Sequence, residues 1–143
     1  MGMKIFRMLL CAVFAVMVAA CSQGAFNEKK CQELYDKINA GDTLSEAEVG
    51  EMIDQMEAIV DIYIEKAKEF DYDNAKFRQW EDSTEWLNMA KFGDAFNSYF
   101  VMSPLSAANQ KKFDEASERI GEKFMKMQQE AMKKAGIPSL PTE

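Results

Sequence analysis

This 143-residue chain contains no histidine. That absence removes the commonest general base, zinc ligand and haem ligand together, leaving carboxylates, lysine and cysteine for any enzyme chemistry. Glycine and proline are sparse, at 7 and 3 residues, which disfavours a turn-rich β fold or a disordered chain and suits long helices. Basic residues are outnumbered, 17 Lys and Arg against 24 Asp and Glu, for a formal charge of −7. No basic run interrupts that balance, so nucleic acid is excluded as a partner and anionic lipid headgroups are a poor match. No glycine-rich phosphate loop, Ser-His-Asp set, haem-attachment motif, internal repeat or low-complexity tract is present. A non-enzymatic protein without a cofactor or bound metal is the expectation.

The chain does contain one long amphipathic stretch, Leu44 to Phe70, around which the rest is organised. Ser45 with Glu48 forms a capping box, and Leu44 with Val49 forms a hydrophobic staple across it. Val49, Met52, Ile53, Met56, Ile59, Val60, Tyr63, Ile64 and Ala67 follow at the spacing of one helical face. Glu51, Asp54, Glu57, Asp61, Glu65 and Lys68 mark the opposite, wet face. A dry stripe of this length requires partner helices.

The flanking sequence supplies them. A short first helix is expected over 27–39, capped by Asn27, with Cys31, Leu34, Tyr35 and Ile38 on one face and Gly41 ending it. A third helix is expected from Asn74 to Val101 after a turn at Asp71 to Asp73, with one continuous bent helix as the alternative. Its apolar positions begin at Phe77, Trp80, Thr84 and Leu87, then shift phase toward Phe92, Phe96, Tyr99 and Phe100. A fourth is expected from Pro104 to Ala135, capped by Ser103, burying Phe113, Ala116, Ile120, Phe124, Met127 and Ala131. These segments predict an all-α fold, a small antiparallel bundle of three long helices completed by the short first one. The bundle spans 27–136, and 137–143 form a frayed tail.

Two metal readings fail on their residues. Counted as a calcium loop from Asp71, the sixth and twelfth positions are Lys76 and Asp82 where Gly and Glu are required. Met52 and Met56 stand one turn apart, but two thioethers without a further ligand do not make a copper site and read as core. Gly50, Gly93 and Gly121 fall once in each long helix, where glycine permits a close contact, admits a ligand or is merely tolerated drift.

The N-terminus reads as an address. Lys4 and Arg7 precede an apolar run of eleven residues, Met8 to Val18, too short for the ~20 that span a bilayer. Val18-Ala19-Ala20-Cys21 resembles the lipobox of bacterial lipoprotein precursors. The resemblance covers only this segment and implies a signal peptide over 1–20, cleaved before a diacylated Cys21. It also implies a lipid-anchored, exported protein, and Ser22 after the cysteine would permit transfer to the outer membrane, facing the periplasm. The alternative is an ordinary secretory signal cut after Ala20. Removing 1–20 takes Lys4 and Arg7 but no acid, which brings the mature charge to −9. With Cys11 removed and Cys21 acylated, Cys31 stands alone, so no disulfide forms within the mature chain. Cys31 reads as a small buried apolar residue. Residues 21–26 form a lipidated tether of at most about 20 Å.

Surplus aromatic surface on the third helix makes Trp80, Trp86, Phe92, Phe96 and Tyr99 the candidate binding residues, since aromatics are enriched in pockets and interfaces. The functional expectation is a helical interaction module held close to the membrane by its lipid, with an envelope protein as partner. The alternative is a binder of a small molecule or lipid in an apolar cavity between helices.

Overall fold

The computed structural model describes residues 25–138, and every regular element among them is an α-helix. Residues 1–24, with the expected signal peptide, the lipobox-like segment ending at Cys21 and most of the expected tether, and residues 139–143 lie outside the described residues. Five helices follow in order: α1 Glu28–Ala40, α2 Glu46–Glu69, α3 Asn74–Glu81, α4 Thr84–Met102 and α5 Ala107–Lys134. No described helix is long and apolar enough to cross a membrane.

The helix starts follow from side chains that satisfy free backbone N–H groups. The Asn27 side chain accepts from the Lys30 N–H, and Ser45 and Glu48 form the full capping box at α2. Leu44 and Val49 are both buried in the core cluster, where the staple requires them. Gly41 ends α1 at φ 75°, a left-handed conformation that glycine adopts without a Cβ clash.

The turn after α2 consists of Asp71 and Tyr72, both left-handed at φ 56° and 60°, followed by Asp73, which accepts from the Ala75 and Lys76 N–H groups. One bent helix through this region is therefore excluded. The expected helix from Asn74 to Val101 is in fact two. It stops at Glu81, and Ser83 caps a new helix by accepting from the Trp86 N–H. Thr84 and Leu87, which carry the first phase across the break, are exposed, and the buried residues of the new helix are Met89, Phe92 and Phe96. The last helix also starts later than its proline suggests. Pro104 disfavours helical geometry in the residue before it, and Ser103 is extended at φ −117°, ψ 133°, so α4 ends there. Ser106 then caps α5. The three long helices and one short one expected from the sequence are thus replaced by five.

Partner residues fix how the helices run. Asn27, Lys30 and Lys37 meet Gln55, Glu51 and Glu48 in turn, so α1 runs against α2. The Tyr63 ring lies against Trp86, while Met56 shares a groove with Asn97, so α4 also runs against α2. Asp54 meets Lys112, Glu57 meets Arg119 and Lys68 meets Glu130, so α5 runs parallel to α2. The core lies between α1, α2, α3 and α4, where Cys31, Leu34, Met52, Ile59, Trp80, Met89, Phe92 and Phe96 are buried together. Each large side chain enclosed there contributes roughly 1.5–3 kcal/mol.

Candidate interaction groove

Helix α5 is attached differently from the others. Of its 28 residues only Asn109 and Ala116 are buried, whereas α2 buries ten of its 24. One flank of α5 is joined to α2 by a ladder of polar contacts. Asn109 Nδ2 donates to the Glu46 carbonyl, and Lys112 Nζ donates to the Gly50 carbonyl and to Asp54 Oδ2. Arg119 grips Glu57 with two nitrogens, and Lys123 bridges Glu57 and Asp61. Lys134 and Asp71 pair at the far end.

This ladder corrects the assignment of Asp54, Glu57 and Asp61 to a wet face. Glu57 is only 8% exposed, because α5 covers that flank of α2. Its hydrogen bond to Arg119 outweighs burial and holds the carboxyl well below its ordinary range, at about 2. Burial pushes Lys123 down, but its bonds to Asp61 and Glu57 prevail and its pKa is raised. The acids at 54, 57 and 61 and the bases at 112, 119 and 123 follow helical spacing, so the sequence carried the signal in two separate segments. Gly50 lies under this ladder, where a Cβ would stand 3.4 Å from Asn109 Oδ1. Gly93 and Gly121 face open space.

The other flank of α5 is apolar and open. Between α2, α4 and α5 lies a groove of about 220 Å³, floored by Ile53 and Met56 and walled by Phe113, Ala116, Ser117 and Ile120, with Asn97 opposite. Phe113 and Phe100 touch at one end, with ring centroids 5.0 Å apart. At the other end Tyr63 bridges Trp86 and Phe124, with centroids at 5.0 and 6.1 Å. Phe124, on the expected buried face of its helix, is in fact 37% exposed.

The five aromatic residues singled out from the sequence do not assemble around this groove. Trp80 is buried, packed 4.9 Å from Trp86, and its indole N–H donates to Glu85. Phe92 and Phe96 are fully buried and stacked, with Tyr35 edge-on to Phe92. Tyr99 is half-buried, edge-on to Phe100. These rings form the core and its margins; Trp86, through Tyr63, and Tyr99, through Phe100, reach the neighbourhood of the groove. The groove-lining residues of α5 read from the sequence as ordinary core. Their openness shows only once α4 and α5 are seen to stand apart.

Two other depressions are less suited to a partner. One, of about 230 Å³, between α1 and α2 is rimmed by Lys30, Lys37, Glu48 and Glu51, whose charges already pair with one another. A wider one, of about 430 Å³, beside Phe26 has Glu28, Thr84, Glu85 and Asn88 among its lining. Among the described residues no group of three or more Cys, Asp or Glu is placed to hold a metal ion. No protein-family model matches the chain, and neither a curated protein nor a solved structure shows significant similarity to it.

Proposed function

We propose that the protein is a lipid-anchored module of the bacterial cell envelope, an up-and-down helical bundle that works by contact with another macromolecule through the α4–α5 groove. The lipobox-like Val18-Ala19-Ala20-Cys21 supports the anchor. The half-covered apolar flank of α5 carries the contact reading. A 28-residue helix that buries two residues while leaving Phe113, Ile120 and Phe124 partly open retains apolar surface for a partner. A second reading, an apolar small molecule or an acyl chain held in the same place, is favoured by the lining of Ile53, Met56, Phe113 and Ile120.

The test is partner capture in intact cells. Cells carrying the native protein, a Cys21→Ala variant or an Ile120→Glu variant are crosslinked and the co-purifying proteins identified. One dominant partner, lost in both variants, supports the module. Equal recovery with Ile120→Glu moves the contact away from the groove, and no specific partner in any arm overturns the reading in favour of a ligand.

A further inference from the structure

Charge is distributed one-sidedly around the groove. The bases Lys112, Arg119 and Lys123 on α5 lie on its α2 flank and are neutralised by Asp54, Glu57 and Asp61. The sole base of α4, Lys91, turns away to Gln32 and the Tyr35 ring on α1. Acids remain at the mouth. Asp94 lies one helical turn before Asn97 and Asp114 one turn before Ser117, and both are exposed.

Exposed apolar residues extend the groove at both ends. Val101, 79% exposed, lies one turn beyond Asn97, and Phe124, 37% exposed, lies one turn beyond Ile120. From Phe113 to Ile120 the wall is about 10 Å long, the length of a two-turn helix at 1.5 Å per residue. Small residues keep this mouth clear: a Cβ on Gly93 or Gly121 would meet nothing within 4 Å.

Resting on the contact reading above, we infer that the groove takes a cationic amphipathic helix, whose apolar stripe lies between α4 and α5 while its Lys or Arg residues reach Asp94 and Asp114. An apolar floor with an acidic rim and no free base at its mouth selects that chemistry over an anionic fatty acid, whose carboxylate would meet two like charges.

The test uses the full lipidated protein in phosphatidylcholine nanodiscs, with photoreactive benzoylphenylalanine in place of Ser117 or, as a control, of Gln129 on the far side of α5. The probes are a leucine–lysine amphipathic peptide of about 14 residues and its leucine–glutamate counterpart with the same apolar face. The expected result is crosslinking of the lysine peptide at Ser117 and not at Gln129, with the glutamate peptide about tenfold weaker. Joint replacement D94K and D114K should reverse that preference, and G93F, which adds a ring in open space, should suppress both.

Equal crosslinking of the two peptides, or crosslinking at Gln129 as strong as at Ser117, overturns the inference. So does protection of Ser117 by palmitate at concentrations where the lysine peptide does not bind, which would assign the groove to a lipid. If cells still yield a groove-dependent partner while the lysine peptide fails, the module stands and the partner chemistry alone is wrong.

Discussion

Glu57 and Arg119 form a two-point contact between α2 and α5, with Arg119 Nε 2.9 Å from Oε1 and Nη2 2.8 Å from Oε2. Lys123 Nζ adds a third bond at 2.9 Å to the same carboxylate. The planar guanidinium matches the carboxylate fork, so the pair fixes the rotation of α5 as well as its distance. Breaking it by removing one partner leaves charge in a half-dry seam.

A pH dependence follows. The Glu57 carboxyl falls from 4.5 to about 2 on folding, chiefly through the Arg119 bond. A depressed folded pKa contributes stability that is fully present above the unfolded value and lost as pH falls from about 4.5 toward 2. The shift sets an upper bound of about 3 kcal/mol, and screening around the half-exposed Arg119 lowers it. Hydrogen exchange followed by mass spectrometry should show α5 losing protection over that interval before α1 and α4. Glu57→Gln should be about 1–2 kcal/mol less stable at pH 7 and should lose this portion of the acid dependence. If α5 and α4 open together with the same pH profile in both proteins, the ladder does not hold α5.

Cys31 should be inert in the folded protein. It is completely buried, its thiol donates to Gln55 Oε1 at 3.4 Å, and burial, with Glu51 and Glu28 nearby, raises its pKa from 9.0 to about 12. Reaction requires the thiolate, so iodoacetamide at pH 8 should modify Cys31 on the order of a thousandfold more slowly than a free thiol. Peptide mapping gives the rate at this position, and adding denaturant should restore ordinary reactivity. Rapid labelling without denaturant would mean that α1 opens readily.

Much of this architecture is legible in the chain, for physical reasons that differ by residue. Asn27, Ser45 and Asp73 cap helices through contacts within three residues, so local sequence contains the whole interaction. The break at Asp82–Ser83 is local too, but continuous apolar spacing across Trp80, Thr84 and Leu87 obscures it, and only the later phase shift betrays it. Pro104 misleads because its ring suits a helix start equally well as a helix stop; Ser106, two residues on, provides the cap that decides. The groove is not legible at all. Phe113, Ile120 and Phe124 have the spacing of a buried stripe, and nothing in that spacing says that α4 stands too far away to cover it.

Two phenylalanines on expected buried faces should therefore differ sharply. Phe96 is fully enclosed among Met89, Phe92 and the residues of α1 and α2, while Phe124 is partly open at the groove end. Phe96→Ala removes a ring from a closed core and should cost about 3–5 kcal/mol, through lost transfer energy and the cavity left behind. Phe124→Ala should cost roughly 1 kcal/mol or less, because water already reaches the ring. Urea midpoints of the two variants measure the difference. Similar large losses would show that α5 closes over Phe124 in solution and that the groove is not open.

The proposed anchor is tested at Cys21 by chemistry specific to a lipobox. Cells grown with an alkyne-bearing palmitate should label the native protein, and Cys21→Ser should lose the label and retain residues 1–20, since processing of such a precursor depends on prior acylation of the cysteine. The native protein should stay with membranes in high salt and leave them in detergent, because several acyl chains at ~0.8 kcal/mol per CH2 resist everything but solvation of the lipid. The anchor also constrains position. Gln55 Nε2 donates to the Ala25 carbonyl at 3.2 Å and its Oε1 accepts from the Asn27 N–H at 2.8 Å, so the folded body begins at Ala25 and not further along. With lipid on Cys21, four residue steps reach at most about 14 Å, which would keep the start of α1 and the Gln55 region of α2 beside the bilayer. Inserting 20 glycine and serine residues between Gly24 and Ala25 should leave labelling intact while reducing capture of any partner that sits at the membrane surface. A native protein that carries no label and leaves the membrane in salt is instead the product of an ordinary secretory signal.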